Sequence, residues 1–310
     1  MQRKFDRRLI EALGGVSGVH VTPFDASGAV WHDPLARVVD DIASAGIDNI
    51  VTGGNTGEFY ALTLDEIGAI YRTAAAATGR RRVVTAGIGR SFADACRLAD
   101  AAAEAGADMV MLHQAPDPFQ SPGGVIAYTH RIADASALPV VLYLRNDPFS
   151  RQAFGDLIAH PKVIGVKYAS PDIARLTDRI EVAAEHGVLM ICGLAETWAP
   201  PFQAAGANEF TSGLVNVLPS LSLAVRDALH AEDFATARAK VRSIAPFEAM
   251  RAMQENGCNV TVVKESLRLL GIEVGDVRPP GTVALSADEV RALARILRGW
   301  DLPVKTARAA

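Results

Sequence analysis

In the run KVIGVKYAS, Val163, Ile164 and Val166 form a short apolar segment of the kind that lies buried in a sheet, and Lys167 stands at its end. A lysine there has two fates. It can snorkel, with its stem on apolar surface and its ammonium in water. Alternatively burial strips the ammonium of water, favours the neutral amine and lowers the pKa, and a neutral amine attacks carbonyl carbon to form a Schiff base. Tyr143, near the end of the strand run PVVLYL, offers a phenol that can move a proton, although a buried tyrosine is most often a core ring with a satisfied hydroxyl. In GGNTGE, Gly53 to Glu58, the glycines let the backbone turn tightly and present N–H groups to an anion. The carboxylate of a 2-oxo acid suits such a loop, and Thr56 adds a hydroxyl; the plainer reading is a loop that only caps the next helix. Arg145, two residues beyond Tyr143, shares its side of the strand by period-two alternation. Its fork suits a carboxylate at the far end of a longer substrate; the alternative is an Arg paired with Asp117 or Asp147 at the rim.

These residues need elements to hold them. Eight short β-branched runs alternate with Ala-rich amphipathic stretches: Gly18 to Phe24, Asn49 to Gly53, Arg82 to Ile88, Asp108 to Leu112, Pro139 to Leu144, Val163 to Tyr168, Leu189 to Gly193 and Glu209 to Gly213. Helices are expected between them, among them Leu64 to Thr78, Ser91 to Ala105, Gly124 to Ser136 and Ile173 to His186, with Ser91 and Asp172 as N-caps. Eight such units favour a closed (β/α)8 TIM barrel. A nucleotide-binding sheet is the runner-up, but no strand is followed by G-x-G-x-x-G, and no P-loop occurs. After residue 230 the rhythm changes to helices alone. The expected organisation is a barrel catalytic domain over 1–230 and a C-terminal helical extension over 231–310. Chemistry in such barrels sits where strands end, so Lys167 points into the mouth.

The set GVHVTPF, GGNTGEFYALTLDE, a Tyr at the end of strand five and a GVK lysine at strand six resembles the dihydrodipicolinate synthase / N-acetylneuraminate lyase superfamily of class I aldolases. The resemblance covers nearly the whole chain. It implies a Schiff base between Lys167 and a 2-oxo acid, Tyr143 as proton relay, and a loop with Gly54, Asn55 and Thr56 that holds the carboxylate. It also implies a pyruvate contact at Thr211 and a homo-oligomer, a tetramer or a dimer. Departures point to a branch: Asn55 stands where synthases carry the first of two threonines, QAPDPF replaces a Pro-Tyr-Tyr, and Pro148 stands where they carry an Arg. YLRND and TVVKESLRLLGIEVGDVRPP resemble segments of the 5-dehydro-4-deoxyglucarate dehydratases, with Leu144 replacing an Asn and VKYAS a Phe-Lys-Asp-Gly pattern. The expected function is a Schiff-base lyase that dehydrates or cleaves a 2-keto-3-deoxy sugar acid. Its alternatives are a dihydrodipicolinate synthase or other pyruvate-dependent aldolase and, from a different class, a barrel that binds a 2-oxo acid without turnover.

Composition narrows the field further. The 310 residues are 49% hydrophobic and 21% charged, with a formal net charge of -4 and no sustained run of one sign. That leaves no electrostatic footprint for nucleic acid or a membrane surface. MQRKFDRRLIEALGG lacks an apolar stretch of signal-peptide length, so the expected location is cytoplasmic. Cys96, Cys192 and Cys258 lie far apart without metal spacing and read as reduced, mostly buried residues. No ligand-spaced His/Asp/Glu cluster occurs, so neither metal nor cofactor is expected. His20, placed mid-strand, and His113 are expected to be structural.

Overall fold

The computed structural model describes residues 5–281 and 283–305. Eight parallel strands close on themselves in sequence order: β1 Ser17–Val19, β2 Asn49–Thr52, β3 Val83–Ile88, β4 Met109–His113, β5 Val140–Leu144, β6 Val163–Tyr168, β7 Leu189–Cys192 and β8 Glu209–Ser212. The helices are α1 Arg7–Leu13, α2 His32–Ser44, α3 Leu64–Thr78, α4 Phe92–Glu104, α5 Pro122–Ala135, α6 Arg151–Ile158, α7 Ile173–His186, α8 Ala195–Ala204, α9 Pro219–His230, α10 Phe234–Ala252, α11 Asn259–Leu269 and α12 Ala287–Gly299. Local chemistry sets many of these limits. Thr63 and Glu66 form a capping box at the start of α3, and Ser91 and Asp172 accept from the third backbone N–H beyond them at the starts of α4 and α7.

Two apolar layers follow from strand alternation. Outward residues such as Val110, Leu142 and Val166 pack against the ring of helices. Inward residues, including Val51, Val83, Met109, Met111, Val141 and Ile164, fill the barrel, and Leu9 and Leu13 of α1 plug its lower end. The upper end is left to polar side chains. Gly193, at the end of β7, leaves room there, since a Cβ would lie 3.2 Å from Cγ of Lys167.

Strand one is shorter than its sequence suggests. It ends at Val19, because the Asn216 side chain takes over the next ladder bonds: its Nδ2 donates to Val19 O at 2.9 Å and its Oδ1 accepts from Val21 N at 3.0 Å. His20 therefore lies just past the strand rather than within it. Beyond α9, helices α10 to α12 pack on the barrel flank, and the segment after α11 returns across the mouth, where Phe24 N donates to Val274 O at 3.0 Å.

Candidate active site

Register decides which residues meet at the mouth. A β-bulge between β5 and β6 shifts the pairing from Val140↔Val163 to Val141↔Gly165, so Tyr143 stands level with Lys167, and His113 of β4 stands level with Tyr143. All three line one cavity of about 1100 Å3, with Asn55, Thr56 and Thr211 also in its wall. Lys167 Nζ lies 4.2 Å from the centre of the Tyr143 ring. Among the described residues no carboxylate comes within ion-pairing distance of it. Burial dominates its protonation and lowers the pKa to about 8, with the Arg145 charge pushing the same way. Lys162, at the opposite end of the strand, instead donates to backbone oxygens of Asp134 and Ser136 at 3.2 and 2.5 Å.

Tyr143 is buried, and desolvation raises its pKa; Arg145 and a hydrogen bond from Asn55 act against that rise. Asn55 Nδ2 donates to the phenol oxygen at 3.3 Å. His113 stacks on Phe59, with ring centres 4.2 Å apart, and its Nε2 donates to Gly53 O at 2.9 Å. Burial first, then nearby cations, hold its pKa down at about 3, so it is a neutral wall rather than a base. His20 is likewise held down, at about 4, by burial.

The glycine loop folds as two 3-10 turns, Asn55–Gly57 and Phe59–Ala61. The N–H groups of Asn55 and Thr56 open the first turn and have no partner inside it. The N-terminus of α3 is occupied by its capping box, and Arg278 closes on Glu66 from outside at 2.6 and 2.9 Å. Any anion must use the turn itself. Gly54 sits beneath the cavity wall, where a Cβ would come 2.5 Å from Cγ1 of Val19; its lack of a side chain is what brings the loop close to β1. Thr211 is buried and its hydroxyl donates to Cys192 O at 3.4 Å.

Arg145 lies at the exposed rim and lines the cavity. The rim pairing considered for it does not form with Asp147, whose carboxylate is taken by Arg179 at 2.8 Å and by the Tyr168 hydroxyl at 2.9 Å. Asp117 also lines the cavity, and among the described residues it makes no ion pair with Arg145.

With the geometry in view, comparison places the chain. Residues 12–299 match the model of the dihydrodipicolinate synthetase family. The chain belongs to that family. Its members are class I lyases, and this chain is one of them. A 4-hydroxy-tetrahydrodipicolinate synthase of Exiguobacterium is 32% identical over 86% of this chain and 91% of its own. A probable 5-dehydro-4-deoxyglucarate dehydratase of Xanthomonas campestris is 30% identical over 94% and 96%. The crystal structure of dihydrodipicolinate synthase from Oceanobacillus iheyensis superposes with a TM-score of 0.91 at 35% identity, over 96% of this chain and 99% of that one.

Within this family member, one wall of the cavity could not be read from the sequence. Glu248 and Arg251 of α10 and Asn259 of α11 line it, tied together by Arg251, which donates to Glu248 Oε1 at 2.7 Å and to Asn259 Oδ1 at 2.9 Å. They lie some forty residues past the last strand. Glu196, in the strand-seven motif GLAET, turns away from the cavity to accept from the Ser222 hydroxyl at 2.5 Å, and burial raises its pKa to about 7. Tyr60, exposed at the cavity rim, was also missed; its hydroxyl donates to Gln114 O at 3.3 Å. No described helix is long and apolar enough to cross a membrane.

Proposed function

We propose that the protein forms a Schiff base between Lys167 and a 2-oxo acid, and dehydrates or cleaves a 2-keto-3-deoxy sugar acid. The observation that carries this is a buried lysine with no countercharge, beside a phenol, at the mouth of the barrel. With a pKa near 8, about a tenth of the amine is neutral at pH 7. It attacks the C2 carbonyl, water leaves, and the resulting iminium withdraws electrons from C3. Two outcomes are then open. C3 loses a proton and C4 loses its hydroxyl, protonated to water, or the C3–C4 bond breaks, its electron pair entering the enamine while the C4 hydroxyl gives up its proton. Tyr143 moves these protons. The Thr56 hydroxyl and the opening N–H groups of the first turn hold the C1 carboxylate, with Thr211 in the same cavity wall, and Arg145 takes a distal carboxylate. A homo-oligomeric assembly, supported by family resemblance, and a cytoplasmic location belong to the same reading.

Condensation of pyruvate with an aldehyde uses the same enamine, and the synthase relatives favour it. Borohydride reduction with pyruvate, followed by peptide mass mapping, tests the shared core: a single adduct is expected on Lys167, and none in Lys167→Ala. An adduct on Lys162 or Lys264 overturns it. Assaying a panel of keto-deoxy sugar acids, and pyruvate with aldehydes, then separates the outcomes.

A further inference from the structure

Asn55 presents two different faces at the mouth. Its Nδ2 donates to the Tyr143 oxygen at 3.3 Å, while its Oδ1 is buried and has no hydrogen-bond donor among the described residues. Both side chains line the cavity that holds Lys167. A buried amide oxygen without a donor is unfavourable and calls for a partner. The partner cannot be a carboxylate or a ketone, which only accept; it must carry O–H or N–H.

The same amide constrains the phenol. A hydroxyl at position 55 could both accept from Tyr143 and donate to it, passing a proton along. An amide nitrogen only donates, so the Tyr143 proton is left to face the cavity, and the phenolate form is favoured by the N–H. We propose that Asn55 is a specificity-determining and positioning residue: Oδ1 accepts from a hydroxyl on the substrate chain, and Nδ2 holds Tyr143 with its proton directed at that substrate. This rests on the Schiff-base reading and deepens it, because it requires a hydroxylated 2-oxo acid rather than pyruvate alone.

Two reactions of the full-length enzyme separate the roles. Exchange of the C3 hydrogens of pyruvate in D2O, followed by NMR, needs the Schiff base and the phenol but offers no hydroxyl to Asn55; turnover of a 2-keto-3-deoxyhexonate offers one. In Asn55→Leu, kcat/KM for the hexonate relative to the pyruvate exchange rate should fall about 10- to 100-fold. The basic limb of the exchange pH profile should move to higher pH. Asn55→Thr, which restores an acceptor in a smaller side chain, should recover part of the ratio and covers the case in which the leucine variant fails to fold. An unchanged ratio, or equal losses in both reactions, overturns the role of Asn55. Absence of trapping in the unsubstituted enzyme instead overturns the Schiff-base reading beneath it.

Discussion

Lys167 and Lys264 are both buried, and each places its ammonium over an aromatic ring, 4.2 Å from that of Tyr143 and 4.3 Å from that of Phe24. Their remaining neighbours differ. Lys264 lies 2.6 Å from Glu58 Oε1 and donates to Asp276 O at 2.8 Å, whereas Lys167 has no carboxylate in reach among the described residues. Burial pushes both toward the neutral amine, but for Lys264 the Glu58 charge pulls back. Burial and the aromatic ring are common to both lysines; the missing countercharge is what sets Lys167 apart. Lys264 has another task. Glu58 stands in the left-handed region, φ 61°, at the end of the first loop turn, where it pairs with Lys264 and accepts from the Arg278 N–H at 2.8 Å, which ties the returning C-terminal segment to the loop that carries Thr56. One buried lysine is left without a countercharge, and the other holds the loop.

The largest test of this contrast removes the paired lysine. Lys264→Met leaves Glu58 buried without its cation and should cost about 3–5 kcal/mol in denaturant unfolding. Adding Glu58→Gln should recover much of that loss; equal stabilities for the single and double variants would show that the pair contributes nothing.

Removing the unpaired lysine should act in the opposite direction. The folded-state pKa of Lys167, about 8, lies below its ordinary 10.5, so between these values the unfolded chain binds more protons and stability rises with pH. The penalty of burying the ammonium is thus fully present below pH 8 and gone near 10.5. Lys167→Met should stabilise the fold by roughly 3 kcal/mol at pH 7, with the gain fading across that window. A loss of stability at pH 7, or a gain independent of pH, breaks the comparison.

The smallest effect concerns the rim. Arg145→Ala should leave pyruvate trapping at Lys167 unchanged while weakening kcat/KM for a substrate with a distal carboxylate by about 1.5–3 kcal/mol, the scale of a charged hydrogen bond. Equal kinetics on every substrate of the panel would return Arg145 to a structural role.

Much of the fold was legible because its signals are local. The limits of α3, α7 and β6 follow from caps and apolar period, and all eight strands lie where β-branched runs alternate with helices. Strand one was overextended because a side chain 197 residues away takes its ladder bonds. Within the site, strand ends pointed to Lys167, Tyr143 and Arg145. They did not point to Glu248, Arg251 or Asn259, since nothing in a helix beyond the barrel reveals that it folds back over the mouth. His113, expected to be structural, lines the cavity, and its level with Tyr143 and its stacking on Phe59 came only with the structure.

The amino-acid order alone determined the alternation that closes a barrel, and that a lysine, a tyrosine and a glycine-rich turn stand at strand ends, because hydrophobic period and capping are properties of neighbours in the chain. Whether those groups meet was decided elsewhere. One extra residue at the β5–β6 bulge brings Lys167, rather than Val166, level with Tyr143, and closure of the barrel with its returning tail keeps carboxylates with Lys264 and away from Lys167. A pKa is set by desolvation and charge summed over every element that packs around a group, and that sum exists only once the chain has folded.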